Sequence, residues 1–523
     1  MQEHELGGPM VLQSSDSSSP AAISRLPAEI LIHVFTHCAF LREHRRHDHN
    51  DKDWFYFSQV CQRWRFVALG SPTLWSSPKF KYPSWAREML ARSRDAPLEV
   101  KWRFRYTKPL TDNDIVYDAL LKYMNRMDRL DLTAPFDVLS DVFLKMTQSA
   151  PLLQSLRVET DVIQLSFPPL FLGNHSPRLA ELVIQGPHIS WDSSIFKNNL
   201  TTLKLIHPVD SPLPPPSDRF LAVLHSMSNL EVLELVKALP RLSAAPPGGS
   251  SLFFPHLRHL RIVHAPAPDI SSLLDQISLP HPSRMRHFEL ASIMILVSSP
   301  QNADLASHVV QKVFSAADPT MLTALQINVW QISAWACSCS QPGCIESGGC
   351  PSPHPLFRVS FHTGFNDESF SGQVLRRVWP DMLPIAGIHA LCLVPGYNVE
   401  GDWEIMGSLA PLGNLATVTI GRSVAEQFLR ALSRNSAPTD SADDELHRVS
   451  FRALRAVDIH DVVFETESYE LFDTLKAALK VRSENDGGIR KLILRRCVLS
   501  NSMLRELRSL VEELIYVPPI SDL

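Results

Sequence analysis

The chain has 523 residues, of which 45% are hydrophobic and 20% charged, and its formal net charge is -5. That is more than one ordinary domain needs for its core. A mildly acidic protein offers no electrostatic reason to expect a nucleic acid or an anionic membrane as partner.

Residues 1–22 are polar and Ser-rich, without a basic start and an apolar stretch behind it, and read as a disordered leader rather than a signal peptide. A helical module is expected over 23–70. Pro27 suits a first helical position and Glu29 the positive end of the helix dipole. Ile30, Leu31, Val34, Phe35 and Cys38 then share one helical face. A second face holds Val60, Cys61, Trp64, Val67 and Ala68, with Asp53 placed to cap the aromatic run Trp54 to Phe57 that leads into it. Arg42 to Lys52, rich in charge and histidine, reads as a solvated loop. Residues 71–110 read as a connection, locally basic from Arg87 to Lys108.

Over 111–523 one short pattern returns: apolar, two variable residues, apolar, variable, apolar. The copies begin at Met127, Leu153, Leu179, Leu200, Leu230 and Leu257, and then at Met285, Leu322, Leu356, Ile388, Leu415, Leu454 and Ile489. The intervals between these starts are 26, 26, 21, 30, 27 and 28 residues, then between 27 and 39. The early ones sit near the leucine-rich-repeat range of roughly 20–29 residues. Helical faces lie between copies: Leu139, Val142, Phe143 and Met146; Phe220, Leu221 and Leu224; Leu471, Leu475 and Leu479. One helix and one short strand cannot bury their apolar faces alone and must stack on neighbours. The expected fold class is therefore α+β, a small all-α module followed by an α/β leucine-rich-repeat-like solenoid; an ordinary α/β domain built of βαβ units is the competing architecture. The 40 prolines cluster between copies, as at Pro212 to Pro216 and at Pro246 and Pro247.

Eight cysteines in the whole chain match a reducing compartment, cytoplasm or nucleus. Four of them, Cys337, Cys339, Cys344 and Cys350, lie close together with His354 beyond, and could supply thiolates to zinc; a reduced loop is the competing reading, because no Cys-x-x-Cys pair occurs. His33, His37, His44, His47 and His49 with Asp48 form a second cluster, read as a solvent face of the first helix and its loop. The longest apolar stretch, around Ile293 to Val297, is too short to span a bilayer. No phosphate-binding, nucleophile-elbow or His-Glu-x-x-His motif is present, so no enzymatic activity and no cofactor are expected.

The run Leu26-Pro27-Ala28-Glu29-Ile30-Leu31, with Val34-Phe35 and then Val60-Cys61-Gln62-Arg63-Trp64, resembles the F-box. Pro72, Leu74 and Trp75, then Trp85 and Ala96-Pro97-Leu98, resemble the continuation in F-box proteins of mushroom-forming fungi. The charged extension from Arg42 to Asp51 departs from the family pattern. The resemblance implies a substrate-recognition adaptor of an SCF-type ubiquitin ligase. Its F-box would bind a Skp-family adaptor and through it a cullin, while the repeat body would bind a target protein. It implies that Leu26, Pro27, Ile30, Leu31, Val34, Phe35, Val60, Cys61 and Trp64 form the adaptor interface or the small core behind it. The competing function is a repeat scaffold that binds a partner without ubiquitin transfer, its F-box vestigial.

Overall fold

The computed structural model describes residues 26–43, 53–104, 114–160, 167–186, 189, 191–197, 199–207, 217–242, 252–278, 291–297, 303–315, 322–328, 331–335, 356–363, 387–393, 413–434, 451, 453–465, 470–484 and 488–519. The chain divides into two units, Met1–Leu130 and Asp131–Leu523.

The first unit begins with α1 (Ala28–Glu43). Pro27 stands one residue before the helix, and its carbonyl accepts the Leu31 N–H at 3.1 Å. A 3-10 turn (Asp53–Gln59) leads to α2 (Gln62–Leu69), and a second (Pro72–Trp75) leads to α3 (Pro83–Arg92), with proline at its first position. Then come β1 (Leu98–Arg103), α4 (Asp114–Tyr123) and β2 (Met127–Thr133), within which the boundary falls.

Its core joins Leu31 and Phe35 of α1, Val67 and Ala68 of α2, Leu74 and Trp75, and Met89 of α3. The Phe57 ring stacks on Phe35 at 4.3 Å, and Trp64 tilts against it at 5.1 Å. The Trp75 indole N–H is buried and donates to the Ala68 carbonyl at 2.9 Å. Arg92, from the basic stretch, lies 4.7 Å over the Trp75 ring and pairs with Glu88. The stretch read as a connection thus contributes Leu74, Trp75 and Met89 to the same core as α1. A module of about 45 residues buries too little apolar surface alone, and these side chains supply what is missing.

The second unit is a mixed α/β structure around a large, mostly parallel sheet. Its strands in chain order are β3 (Ser155–Glu159), β4 (Glu181–Gln185), β5 (Thr202–Ile206), β6 (Val232–Val236) and β7 (Leu252–Phe253). Next are β8 (His259–Pro266), β9 (Ile277–Ser278), β10 (Ala291–Val297), β11 (Ala324–Asn328) and β12 (Gln331–Trp335). The last six are β13 (Phe357–Thr363), β14 (Ala390–Leu393), β15 (Thr417–Gly421), β16 (Ala456–His460), β17 (Lys491–Arg495) and β18 (Glu513–Val517). They stand side by side in the order β3-β4-β5-β6-β8-β10-β13-β12-β11-β14-β15-β16-β17-β18, while β7 and β9 form a separate pair. All neighbours in the large sheet run parallel except β12, which is antiparallel to both β11 and β13.

The helices are α5 (Phe136–Lys145), α6 (Ser217–Ser226), α7 (Ala267–Gln276), α8 (Ala303–Ser315), α9 (Arg422–Arg434), α10 (Glu470–Glu484) and α11 (Asn501–Arg508). The helix-strand alternation is incomplete. Among the described residues, the β3–β4 and β4–β5 connections hold 3-10 turns, Phe171–Asn174 and Ser194–Lys197, where α-helices were expected. The copy starting at Met285 falls outside the described residues, and the strand there is β10, which begins at Ala291.

Several copies of the repeated pattern do the same mechanical work. The first apolar residue closes a turn where Leu153, Leu179, Leu230, Leu257 and Leu454 donate to the carbonyl three residues back. A carbonyl at the head of a strand accepts two N–H groups of the neighbouring strand's copy, as Gln154 does from Ala180 and Glu181, both at 2.9 Å. The second and third apolar residues, such as Leu156 and Val158 or Leu203 and Leu205, are fully buried. The residue after each strand ties forward again: Gly186 to Ile206, His207 to Val236, Lys237 to Val263. Several of these exit residues are left-handed. Gly186 has φ 101°, and a Cβ there would stand 2.2 Å from the Thr160 carbonyl oxygen, so only glycine fits.

Candidate interaction surfaces

The first unit separates the nine residues singled out in the sequence. Leu31 and Phe35 are wholly buried, and Leu26 and Trp64 pack partly buried on the same core. Ile30 and Val34, each one residue earlier than a core member and four apart on α1, are 45% and 39% exposed. Pro27 is exposed as well. Cys61 is exposed and caps α2, its sulfur accepting the Trp64 N–H at 3.5 Å. Val60, next to it, is exposed.

Among the described residues of this unit, Tyr56 of the aromatic run is exposed too, as is Phe66, which was not in the sequence reading and is 80% exposed. Phe66 sits on α2 next to core residue Val67, and helical periodicity alone could have placed it outside. Ile30, Val34, Tyr56, Val60 and Phe66 are thus the exposed large apolar side chains among the described residues of this unit.

His33 and His37 lie exposed on α1, whereas residues 44–52 are outside the described residues. So are Cys337, Cys339, Cys344, Cys350 and His354. No trio of metal-ligating side chains occurs among the described residues. Nor, among them, is any helix long and apolar enough to cross a membrane.

Between β3 and β8 the sheet of the second unit has one face of buried apolar residues and one that mixes polar with aliphatic side chains, called the polar face below; in β14, β15 and β16 both faces are buried. On the polar face the strand register aligns Arg157, Val183, Lys204, Glu234 and Arg261 into a row that crosses β3, β4, β5, β6 and β8. The register carries the row on through Ser292 of β10 to Arg358 of β13. Glu234 is the row's acid and it is nearly buried. Lys204 Nζ lies 3.2 Å from one of its oxygens, and Arg261 holds the other. Burial pushes the Glu234 carboxyl up, but the hydrogen bonds and charges of Lys204 and Arg261 outweigh it, and the group ends below its ordinary value. The cations reach outward more than the acid does: the side chains of Arg157, Lys204 and Arg261 are 49%, 33% and 40% exposed, against 8% for Glu234.

Farther along the same row stand Ser333, half-buried Gln326, and then Cys392, Thr419 and Asp458, which like Ser333 are buried. Asp458 is wholly buried, with Arg495 Nε at 3.1 Å and His460 Nε2 at 2.9 Å. No charged row faces outward there.

The chain matches no protein-family model and no curated protein.

Proposed function

We propose that this chain is the substrate-recognition adaptor of an SCF-type ubiquitin ligase. In this reading the first unit carries an F-box that binds a Skp-family adaptor, and through it a cullin. The second is a leucine-rich-repeat-like solenoid whose polar sheet face takes a target protein. The observation that carries the reading is the split on α1. At positions where the sequence resembles the F-box, Leu31 and Phe35 anchor the helix while Ile30 and Val34 stand in solvent beside them. An apolar pair exposed on an anchored helix supports the assignment of that face to a partner.

Burying a large aliphatic side chain in full is worth roughly 1.5–3 kcal/mol. Ile30 and Val34 are each partly buried already, so together they supply about that much, and a charge in their place adds a desolvation cost. The combined change Ile30→Asp and Val34→Asp is expected to weaken binding of a purified Skp-family adaptor by well over tenfold, read by titration calorimetry on the full chain. Wild type that binds no adaptor sinks the reading and leaves a repeat scaffold. A folded double variant that binds undiminished moves the interface off α1.

A further inference from the structure

We propose that Arg482 and Arg455 hold a small tetrahedral oxyanion, free phosphate in the first instance, between the last turn of α10 and the turn that opens the copy beginning at Leu454. This site is independent of the adaptor reading, since neither residue lies in the first unit.

The buried charges of the second unit make Arg482 stand out. Histidines aside, those among the described residues are Glu234, Asp269, Asp458 and Arg482. Three of them are answered. Glu234 lies between Lys204 and Arg261, and Asp458 between Arg495 and His460. Asp269 accepts the Leu242 N–H at 2.9 Å. Arg482 is 7% exposed, and among the described residues no acid pairs with it. Its guanidinium donates to the Phe451 carbonyl, but its Nε is buried without a hydrogen-bond partner. Buried polar groups are as a rule hydrogen-bonded, and a cation taken out of water without a counter-charge is costly. The charge that Arg482 does meet has its own sign: burial first, and then Arg455, lower its pKa.

The end of α10 does not account for this arginine. Cations are favoured near a helix C-terminus, yet Arg482 directs its hydrogen bond to Phe451 rather than to the carbonyls that close its own helix.

The backbone instead fixes a pair of cations. Phe451 and Leu454 close one turn, the Leu454 N–H donating to the Phe451 carbonyl at 3.1 Å. Arg482 is tied to the first carbonyl of this turn, and Arg455 Nη1 to that of Leu454 at 3.0 Å. Two like charges are thus anchored on one turn, and a guanidinium carries more N–H donors than one carbonyl can take. An anion shared between them relieves their repulsion, and little side-chain entropy is lost when it arrives. A single arginine fork satisfies both oxygens of a carboxylate, whereas a tetrahedral oxyanion has further oxygens for a second fork. The burial of Arg482 favours a small free ion over a phosphate carried on a protein chain.

The test is calorimetric titration of inorganic phosphate into the full chain in chloride buffer, with acetate at matched ionic strength as comparison. One phosphate per chain is expected, bound at least tenfold more tightly than acetate. Arg482→Gln, shown folded by circular dichroism, is expected to weaken phosphate binding at least tenfold. Arg455→Gln is expected to weaken it too, and leaves the buried residue in place should the first variant fail to fold. Wild type that binds no phosphate overturns the inference, as does phosphate binding undiminished in the folded variants. Acetate bound as tightly as phosphate overturns it, since a carboxylate would then suffice. A phosphoserine peptide that competes as well as free phosphate overturns it too, because the group would then be read on a protein chain. The adaptor titration reads α1 instead, so failure of that assignment is separately visible.

Discussion

Adjacent residues on α1 meet opposite surroundings. Phe35 is enclosed by Phe57, Trp64 and the rest of the core, while Val34 projects into solvent. Removing a buried phenylalanine side chain costs about 3–5 kcal/mol, whereas surface changes usually stay within about 0.5 kcal/mol. Phe35→Ala is accordingly expected to unprotect the backbone amides of α1 and α2 in hydrogen exchange, and Val34→Ala to leave them as they are. Equal protection in both variants would remove Phe35 from the core. The sequence told that Ile30, Leu31, Val34 and Phe35 share a broad apolar face, but not which members point inward. That division depends on Trp75 and Met89, forty residues or more farther on, and local periodicity carries no information about them.

At the scale of elements, the exit from each strand is where neighbouring copies lock together. Asp461 and Arg496 follow β16 and β17 at matching positions, both left-handed, and form a two-pronged ion pair with separations of 2.6 and 2.7 Å. The Arg496 hydrogen bond, opposed by partial burial, holds the Asp461 carboxyl below its ordinary value of 3.8. A carboxylate with a depressed folded pKa stabilises the fold above its unfolded pKa, and that contribution is lost as pH falls through the folded one. Asp461→Asn should thus lower the melting temperature slightly at pH 7, and the difference from wild type should begin to narrow below about pH 4. Both side chains are half exposed, so solvent screening keeps the effect to about 1 kcal/mol or less. A deficit that does not narrow as pH falls below about 4 would mean that the pair is not its cause. The strands themselves were legible: β2 to β6, β8 and β11, and β13 to β17, all fall on copies of the pattern, because two of its apolar positions are the two buried ones. The strands β12 and β18 were missed for a physical reason. Gln331 to Trp335 buries Ser333 along with Ile332 and Ala334, which hides the alternation, and Glu513 to Val517 lies at the end of the strand order, with its side chains half in water.

At the scale of the whole molecule, the proposed α1 surface and the cation row of the sheet differ in how the sequence carries them. Arg157, Lys204, Arg261 and Arg358 are separated in sequence by 47, 57 and 97 residues (204 − 157, 261 − 204, 358 − 261), so only the strand register could reveal them as a row. The α1 surface, by contrast, lies within one helix. Apolar burial is nearly indifferent to ionic strength, whereas exposed charges more than a Debye length apart cease to interact, and that length falls from about 30 Å at 0.01 M salt to about 3 Å at 1 M. Raising salt across this range is expected to change adaptor affinity by less than about twofold. Lys204→Glu with Arg261→Glu should keep the adaptor, and Ile30→Asp with Val34→Asp should lose it. Calorimetric titrations of the adaptor against wild type and the two variants, at low and high salt, check this. Adaptor binding that collapses with salt would shift the weight on the first unit from Ile30 and Val34 to charged neighbours such as Arg63 and Arg65 on α2.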